Sequence, residues 1–435
     1  MSNADWQDRS RSALWHPCTQ MKHLERTPPL PIARGEGVWL IDYDGHRYLD
    51  AISSWWVNLF GHANPRINAA LIDQLSRIEH VILAGCTHAP VVELSERLAA
   101  LSGLSHAFYG SDGASAIEIA LKMSFHYWRN AGRPDKTGFV SLQHGYHGET
   151  LGALSITDVA LFKDTYAPLL RHSHQALSPD SRLAGAGESA EAYALRAATD
   201  LDTHLAEHAE RTAAVILEPL VQGAAGMAMY PPIYLRRVRE LCDRYQIHLI
   251  ADEIAVGFGR TGTLFACEQA GAKAAAIADF LVLSKGITGG YLPLSCVLTS
   301  DTIYVAFYDD ATARGFLHSH SYTGNPLACR AALAVLDIFA QDGVIAGNFL
   351  KAALFSERLS AVAGHPRVRH FRHTGMIWAF DVADAAPGFA AEFHRRALRH
   401  GVFIRPIGHT VYFMPPYVIE EAEMHLLAEA TLACL

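Results

Sequence analysis

Residues 279–290 read DFLVLSKGITGG, an apolar run of strand type that gives way at Ser284 to Lys285 and then to a glycine-rich turn. A strand feeding such a turn delivers its next side chain to the carboxyl edge of a sheet, where open α/β folds bind ligands. Lysine is an expensive residue there unless its amine is used, and a desolvated amine condenses with carbonyl groups. The ordinary alternative is a solvated lysine in a strand-to-helix turn. A second stretch, 248–262, reads HLIADEIAVGFGRTG, and its strand 248–251 ends at Asp252 and Glu253. An acid and a lysine at the ends of two strands can face each other across one ligand. Pyridoxal phosphate uses such a pair, the lysine to hold its aldehyde and the carboxylate to keep its pyridine nitrogen protonated. A turn or helix cap is the ordinary role for an aspartate like Asp252.

The rest of the chain repeats strand, helix, strand, which predicts an α/β fold with a mostly parallel sheet. Strands are expected at 106–110, 139–142, 212–216 and 294–298. Helices are expected at 65–80, 90–101, from 113 to about 130, over 191–211 as an exposed helix, and at 231–247. Ile117, Ala120, Leu121, Ser124 and Trp128 share one helix face, as do Leu235, Val238, Leu241, Cys242 and Tyr245. Near the start, 38–42 and 46–51 form a hairpin through Asp44-Gly45. After 326, helices lead to a strand pair within 368–381, a helix at 387–400 and strands at 403–406 and 411–414.

Composition narrows the function. A chain of 435 residues buries a large core and is long enough for two domains. A formal net charge of −8 gives no electrostatic case for nucleic acid. The 7 cysteines are scattered without a CxxC pair, and no signal segment is read, so reduced thiols and a cytoplasmic location are expected. No stretch of about 18 residues is apolar and uncharged, so no membrane helix is expected.

Several side chains carry chemistry by their setting. Trp55 and Trp56 cannot both point into one core, so one of them lines a pocket or an interface. The turn Ser111-Asp112-Gly113-Ala114-Ser115 opens a helix after a strand and offers backbone N–H groups to a phosphate; a plain cap by Asp112 is the commoner use. GFGRTG from Gly257 does not open a helix and is not read as a dinucleotide fingerprint; its Arg260 binds a substrate carboxylate or braces the loop. Arg405, with Tyr412 downstream, offers a guanidinium fork to a carboxylate, a surface salt bridge being the alternative. His144, His147, His318 and His320 lack a third ligand at metal spacing, and no metal is expected.

Taken together, the Lys285 and Asp252 stretches, WHPCT from Trp15, SSWW from Ser53, GYHGET from Gly145 and IRPIG from Ile404 resemble the class III, or ω-type, aminotransferases of the fold-type I pyridoxal phosphate enzymes. The resemblance runs from about Trp15 to about Tyr417. It implies a large cofactor domain over 65–325 with a seven-stranded type of sheet, and a small domain from 1–64 and 326–435. It implies a homodimer with shared active sites. It also implies an amino transfer of biotin synthesis, with S-adenosylmethionine as donor and 8-amino-7-oxononanoate as acceptor. Lys285 is then the covalent and proton-moving residue, Asp252 the partner of the ring nitrogen, and Tyr146 a residue that stacks on the ring or lines the substrate site. Gly113 and Ala114, with Ser115 nearby, hold the phosphate, and Glu149 and Glu218 support the cofactor. The hydroxyl of Ser321 reaches the phosphate of the partner subunit's cofactor. Trp55 contacts the amino-acid substrate, and Arg405 anchors the acceptor's carboxylate. Cys18 stands where relatives have a tyrosine, and Ser319 and His320 stand where they have glycine and proline, all in the substrate region. Two other functions remain open: an ω-aminotransferase acting on a diamine, β-alanine or lysine, and a non-catalytic binding protein on the same fold.

Overall fold

The computed structural model describes residues 1–271 and 273–435. The chain divides into two units, one formed by Met1–Asn68 with Asn348–Leu435, the other by Ala69–Gly347. The second division falls later than the 325/326 expected from sequence. The helix Pro326–Gln341 packs on the helix Ala89–Ser102 and on the turn Lys285–Thr288, so it belongs with the larger unit. Its buried Ala328, Ala331, Ala332 and Ala334 leave room for that close approach.

The larger unit is built on a seven-stranded sheet. From one edge the strands are His106–Gly110, Ser295–Thr299, Phe280–Leu283, His248–Asp252, Thr212–Leu217, Gly138–Leu142 and His174–Ala176. Ser295–Thr299 runs antiparallel to both neighbours, and every other pairing is parallel. The central strands FLVL, HLIAD and TAAVIL are buried along their whole length, which is why they read as continuous apolar runs rather than alternations. Each such buried Leu, Ile, Val or Phe contributes roughly 1.5–3 kcal/mol over exposure. The helix Gly113–Asn130 buries Ile117, Ala120, Leu121, Ser124 and Trp128, the face its spacing predicts. Ala190–His208, expected to be exposed, instead buries Tyr193, Ala194, Ala197, Ala198, Leu201 and Leu205 and packs on the helix Ile233–Tyr245. Its alanines look neutral in sequence and act here as a packing stripe.

The smaller unit holds two sheets. One has the order Ile32–Glu36, Trp39–Asp42, Arg47–Asp50 and Val402–Phe403; the other joins Val368–Thr374, Ile377–Val382 and Thr410–Phe413. Gly45 turns the hairpin between Trp39–Asp42 and Arg47–Asp50 with a φ of 91°, open to glycine without strain. The strand expected over 403–406 ends at Phe403, so Arg405 stands in the loop beyond it. Among the described residues no single helix is long and apolar enough to cross a membrane.

Candidate active site

The parallel strands of the larger unit bring their carboxyl ends to one edge of the sheet. Glu218 follows Thr212–Leu217, Asp252 ends His248–Asp252, and Lys285 follows Phe280–Leu283; these three strands are neighbours. Asp252 pairs in register with Val282, which places the acid and the lysine turn on adjacent strands at the same edge. Ser284 Oγ donates to Leu294 O at 2.8 Å and pins the turn. Lys285 itself has a φ of 45°. A left-handed non-glycine residue costs on the order of 1 kcal/mol or more, a strain found where function fixes the backbone.

The electrostatics of this edge are unusual. Asp252 is 4% exposed, and its Oδ2 lies 2.7 Å from His147 Nδ1. Because a carboxylate only accepts, Nδ1 carries the proton and donates. Asp252 Oδ1 accepts from Ile254 N at 3.1 Å. His147 Nε2 is buried without a hydrogen-bond partner. Glu218 accepts from Tyr146 N at 3.0 Å and Gly223 N at 2.9 Å, and burial pushes its carboxyl up to about 7. Lys285 keeps part of its surface accessible, yet desolvation is the largest influence on its amine and lowers its pKa, opposed by the charges of Asp252 and Glu218. Glu253, next to Asp252, serves the loop instead of the site: its carboxylate accepts from Ala266 N and Cys267 N, both at 2.7 Å, and holds the segment that follows. Arg260 in that loop is 1% exposed.

Around these groups lie the other residues singled out in the larger unit. Tyr146 Oη donates to Glu149 Oε1 at 3.0 Å. Asp112 caps the helix Gly113–Asn130 by accepting from Ser115 N at 2.9 Å, so the cap and the helix opening coexist. Gly148, with a φ of 122°, has no room for a side chain: a Cβ there would lie 2.6 Å from Ala114 Cβ. The loop from Tyr146 to Gly148 is thus seated on the helix opening. His320 lies with its Nδ1 3.4 Å from Ser111 Oγ and its Nε2 3.1 Å from that of His318, while Ser319 and Ser321 are exposed.

The smaller unit carries the remaining candidates. Trp56 is buried and donates its indole N–H to Tyr412 Oη at 3.1 Å, whereas Trp55 is 45% exposed. One of the adjacent tryptophans therefore points inward and the other outward. The Arg405 guanidinium carbon lies 5.5 Å from the Trp55 ring centroid, a cation–π arrangement. Among the described residues no carboxylate pairs with Arg405, so the surface salt bridge weighed from sequence is not formed. Cys18 is exposed, with a φ of 47°.

A pyridine aldehyde bearing a phosphate fits the larger unit's edge. The donor set offers an amine of lowered pKa, a buried carboxylate with a fixed hydrogen-bond donor behind it, and an imidazole nitrogen left unsatisfied. Lys285 would hold the aldehyde, Asp252 the ring nitrogen, and the helix opening at Gly113 and Ala114 the phosphate. The pairing of His147 with Asp252 is not among the sequence expectations; its only signal there is a histidine between the two glycines of GYHGET.

Comparison with known proteins agrees with this chemistry. Residues 20–435 match the family model described as aminotransferase class-III. The adenosylmethionine-8-amino-7-oxononanoate aminotransferase of Helicobacter pylori is 44% identical over 419 residues, 94% of this chain and 93% of that protein. The crystal structure of the enzyme so named from Methanocaldococcus jannaschii superposes with a TM-score of 0.93 at 36% identity, covering 99% of this chain and 98% of that one. An amine transaminase from an uncultivated Pseudomonas species, solved in a PLP-bound form, superposes with a TM-score of 0.90 at 32% identity, covering 97% and 98% of the two chains. With its strand-end lysine and acid, and with a family match over nearly its whole length, the chain belongs to the class-III aminotransferases.

Proposed function

We propose that the chain transfers an amino group from S-adenosylmethionine to the ketone of 8-amino-7-oxononanoate, giving 7,8-diaminononanoate, a step of biotin synthesis, with pyridoxal phosphate as cofactor. One observation carries the reaction class: Lys285 and the buried Asp252, which is paired with His147, stand at the ends of adjacent parallel strands. Near-full-length similarity to enzymes of that name supports the substrates.

When bound, pyridoxal phosphate supplies an aldehyde to receive the amino group and a ring that accepts electrons. The chain's own groups do the rest. Lys285, its amine poised by desolvation, takes the proton from the amino-bearing carbon of the donor and later returns one to the acceptor carbon, as general base and then acid. Asp252, oriented by His147, keeps a pyridine nitrogen protonated. Glu218 fixes the backbone of Tyr146, whose ring lines the site beside Glu149. Arg405 binds the acceptor's carboxylate, and Trp55 covers its aliphatic chain. Tyr412 supports the tryptophan pair, and Cys18, Arg260, Ser319 and His320 shape the choice of substrate. Ser321 contributes to a phosphate site across a homodimer in the cytoplasm; exposed Ile72, Leu75, Ile82 and Tyr322 of the larger unit supply apolar surface that a second copy would cover.

The test is product analysis by mass spectrometry. The loaded protein with both substrates is expected to form 7,8-diaminononanoate. A second reading, an ω-aminotransferase taking a diamine, β-alanine or lysine, is favoured by the amine transaminases that share this fold. No diaminononanoate, together with turnover of a diamine and a simple ketone, would establish it instead.

A further inference from the structure

Ser53, Ser54, Trp55 and Trp56 form an unbroken left-handed run, with φ values of 50°, 45°, 75° and 72°. None is glycine, so nothing in local preference holds this conformation, and it persists only because surrounding contacts impose it. Those contacts converge on Asp50. Its side chain is fully buried, and it accepts from Ile52 N at 3.4 Å and from Ser54 N at 3.0 Å through Oδ1. Oδ2 accepts from Ser54 Oγ at 2.7 Å and faces His62 Nε2 at 3.0 Å.

His62 is itself locked. Since the carboxylate only accepts, Nε2 carries the proton; Nδ1 is then the acceptor for Asn58 Nδ2 at 3.1 Å. A neutral imidazole is thus satisfied at both nitrogens. The backbone of His62 exchanges hydrogen bonds with Gly37, at 2.7 and 3.1 Å. Its ring lies where a side chain on Gly35 would be, since a Cβ there would meet His62 Cβ at 2.6 Å. The two ends of the run are tied down separately, the first by Ser53 Oγ to Met414 O at 2.7 Å and the last by the Trp56 indole to Tyr412. Trp55 is the one large side chain that this winding turns outward, and it emerges beside Arg405.

We infer that Asp50, aligned by His62, is a positioning residue for recognition of a carboxylate on an aliphatic chain: it winds the left-handed run so that Trp55 offers an apolar face next to the Arg405 guanidinium. This rests on the acceptor proposed above. Neither Asp50 nor His62 touches substrate. A relaxed run would leave Arg405 its charge but remove the apolar wall beside it, weakening acceptor binding and sparing the proton transfers that depend on Lys285.

The experiment compares the parent holoenzyme with Asp50→Asn, which keeps the size but removes the charge and replaces one of the two acceptor oxygens with a donor NH2 group. KM and kcat for the oxononanoate acceptor are measured beside the single-turnover rate with the amino donor. Asp50→Asn is expected to raise acceptor KM about tenfold, the effect of losing one hydrogen bond to a charged group, with the donor rate within about twofold of the parent. An unchanged KM, or equal losses in both half-reactions, overturns the inference. Should Asp50→Asn not fold, His62→Gln, which retains a donor for Asp50, is compared with His62→Leu. Raised acceptor KM in His62→Leu alone supports positioning, and identical values in the two overturn it. A parent enzyme that does not turn over the acceptor at all would refute the proposed substrate instead, a result distinct from either.

Discussion

Asp252 and His147, 105 residues apart in sequence, meet in the interior with Nδ1 2.7 Å from Oδ2, and the imidazole lies directly behind the carboxylate assigned to the ring nitrogen. A buried carboxylate keeps its charge only where donors satisfy it, and here the donors are His147 and Ile254 N. His147→Phe preserves ring bulk and removes one of them. The single-turnover rate with the amino donor should fall about 10- to 100-fold, the worth of a hydrogen bond to a charged group, with substrate KM little changed. Stopped-flow absorbance checks it, and a parent-like rate would detach His147 from the chemistry.

Arg405 stands free of any carboxylate among the described residues and within cation–π distance of Trp55. Arg405→Ala should raise KM for the oxononanoate acceptor by about tenfold or more through loss of a charge-assisted pair, while the donor half-reaction stays near the parent rate. Separate kinetics of the two half-reactions distinguish this from a general loss of activity.

Gly148→Ala tests the seat of the 146–148 loop on the helix opening at Ala114. The added methyl would sit 2.6 Å from Ala114 Cβ at a backbone φ of 122°, so either the 146–148 loop or the helix opening must shift. The expected destabilisation is about 1–3 kcal/mol. Cofactor should also be retained less tightly, read by dialysis and melting temperature.

A pH effect is expected far from the site. His174 and His204 stack with centroids 3.5 Å apart and planes within 2°. Burial first, then His174 and His208, push His204 down to about 4, against the pull of Asp200; burial lowers His174 too. The unfolded chain takes up the His204 proton below its ordinary value of 6.5, whereas the folded chain resists until near 4. Stability therefore falls as pH drops through that window. His204→Phe keeps the stack and removes the titration. Its melting temperature should fall less between pH 7 and pH 5 than that of the parent, and equal slopes would refute the assignment.

How far the sequence speaks depends on the kind of residue. Lys285 and Asp252 were legible because apolar runs end at them, and a parallel sheet sends such ends to one edge. The helix face from Ile117 to Trp128 was legible because burial follows the helical period. The helix expected over 65–80 stops at Leu75, which is 59% exposed. The edge strand His174–Ala176 was missed because three residues, two of them polar, carry no pattern. The His147–Asp252 pair and the Asp50–His62 brace were not legible because each depends on partners that only the fold brings together. The left-handed run at Ser53–Trp56 leaves no trace in composition, as none of its residues prefers that backbone.

The most direct measurement is a two-step titration of the cofactor-loaded protein, followed by its visible absorbance. S-adenosylmethionine alone should bleach the yellow band, and 8-amino-7-oxononanoate added afterwards should restore it, because the amino group then passes to the acceptor. A band indifferent to both compounds but bleached by a diamine would contradict the proposed function.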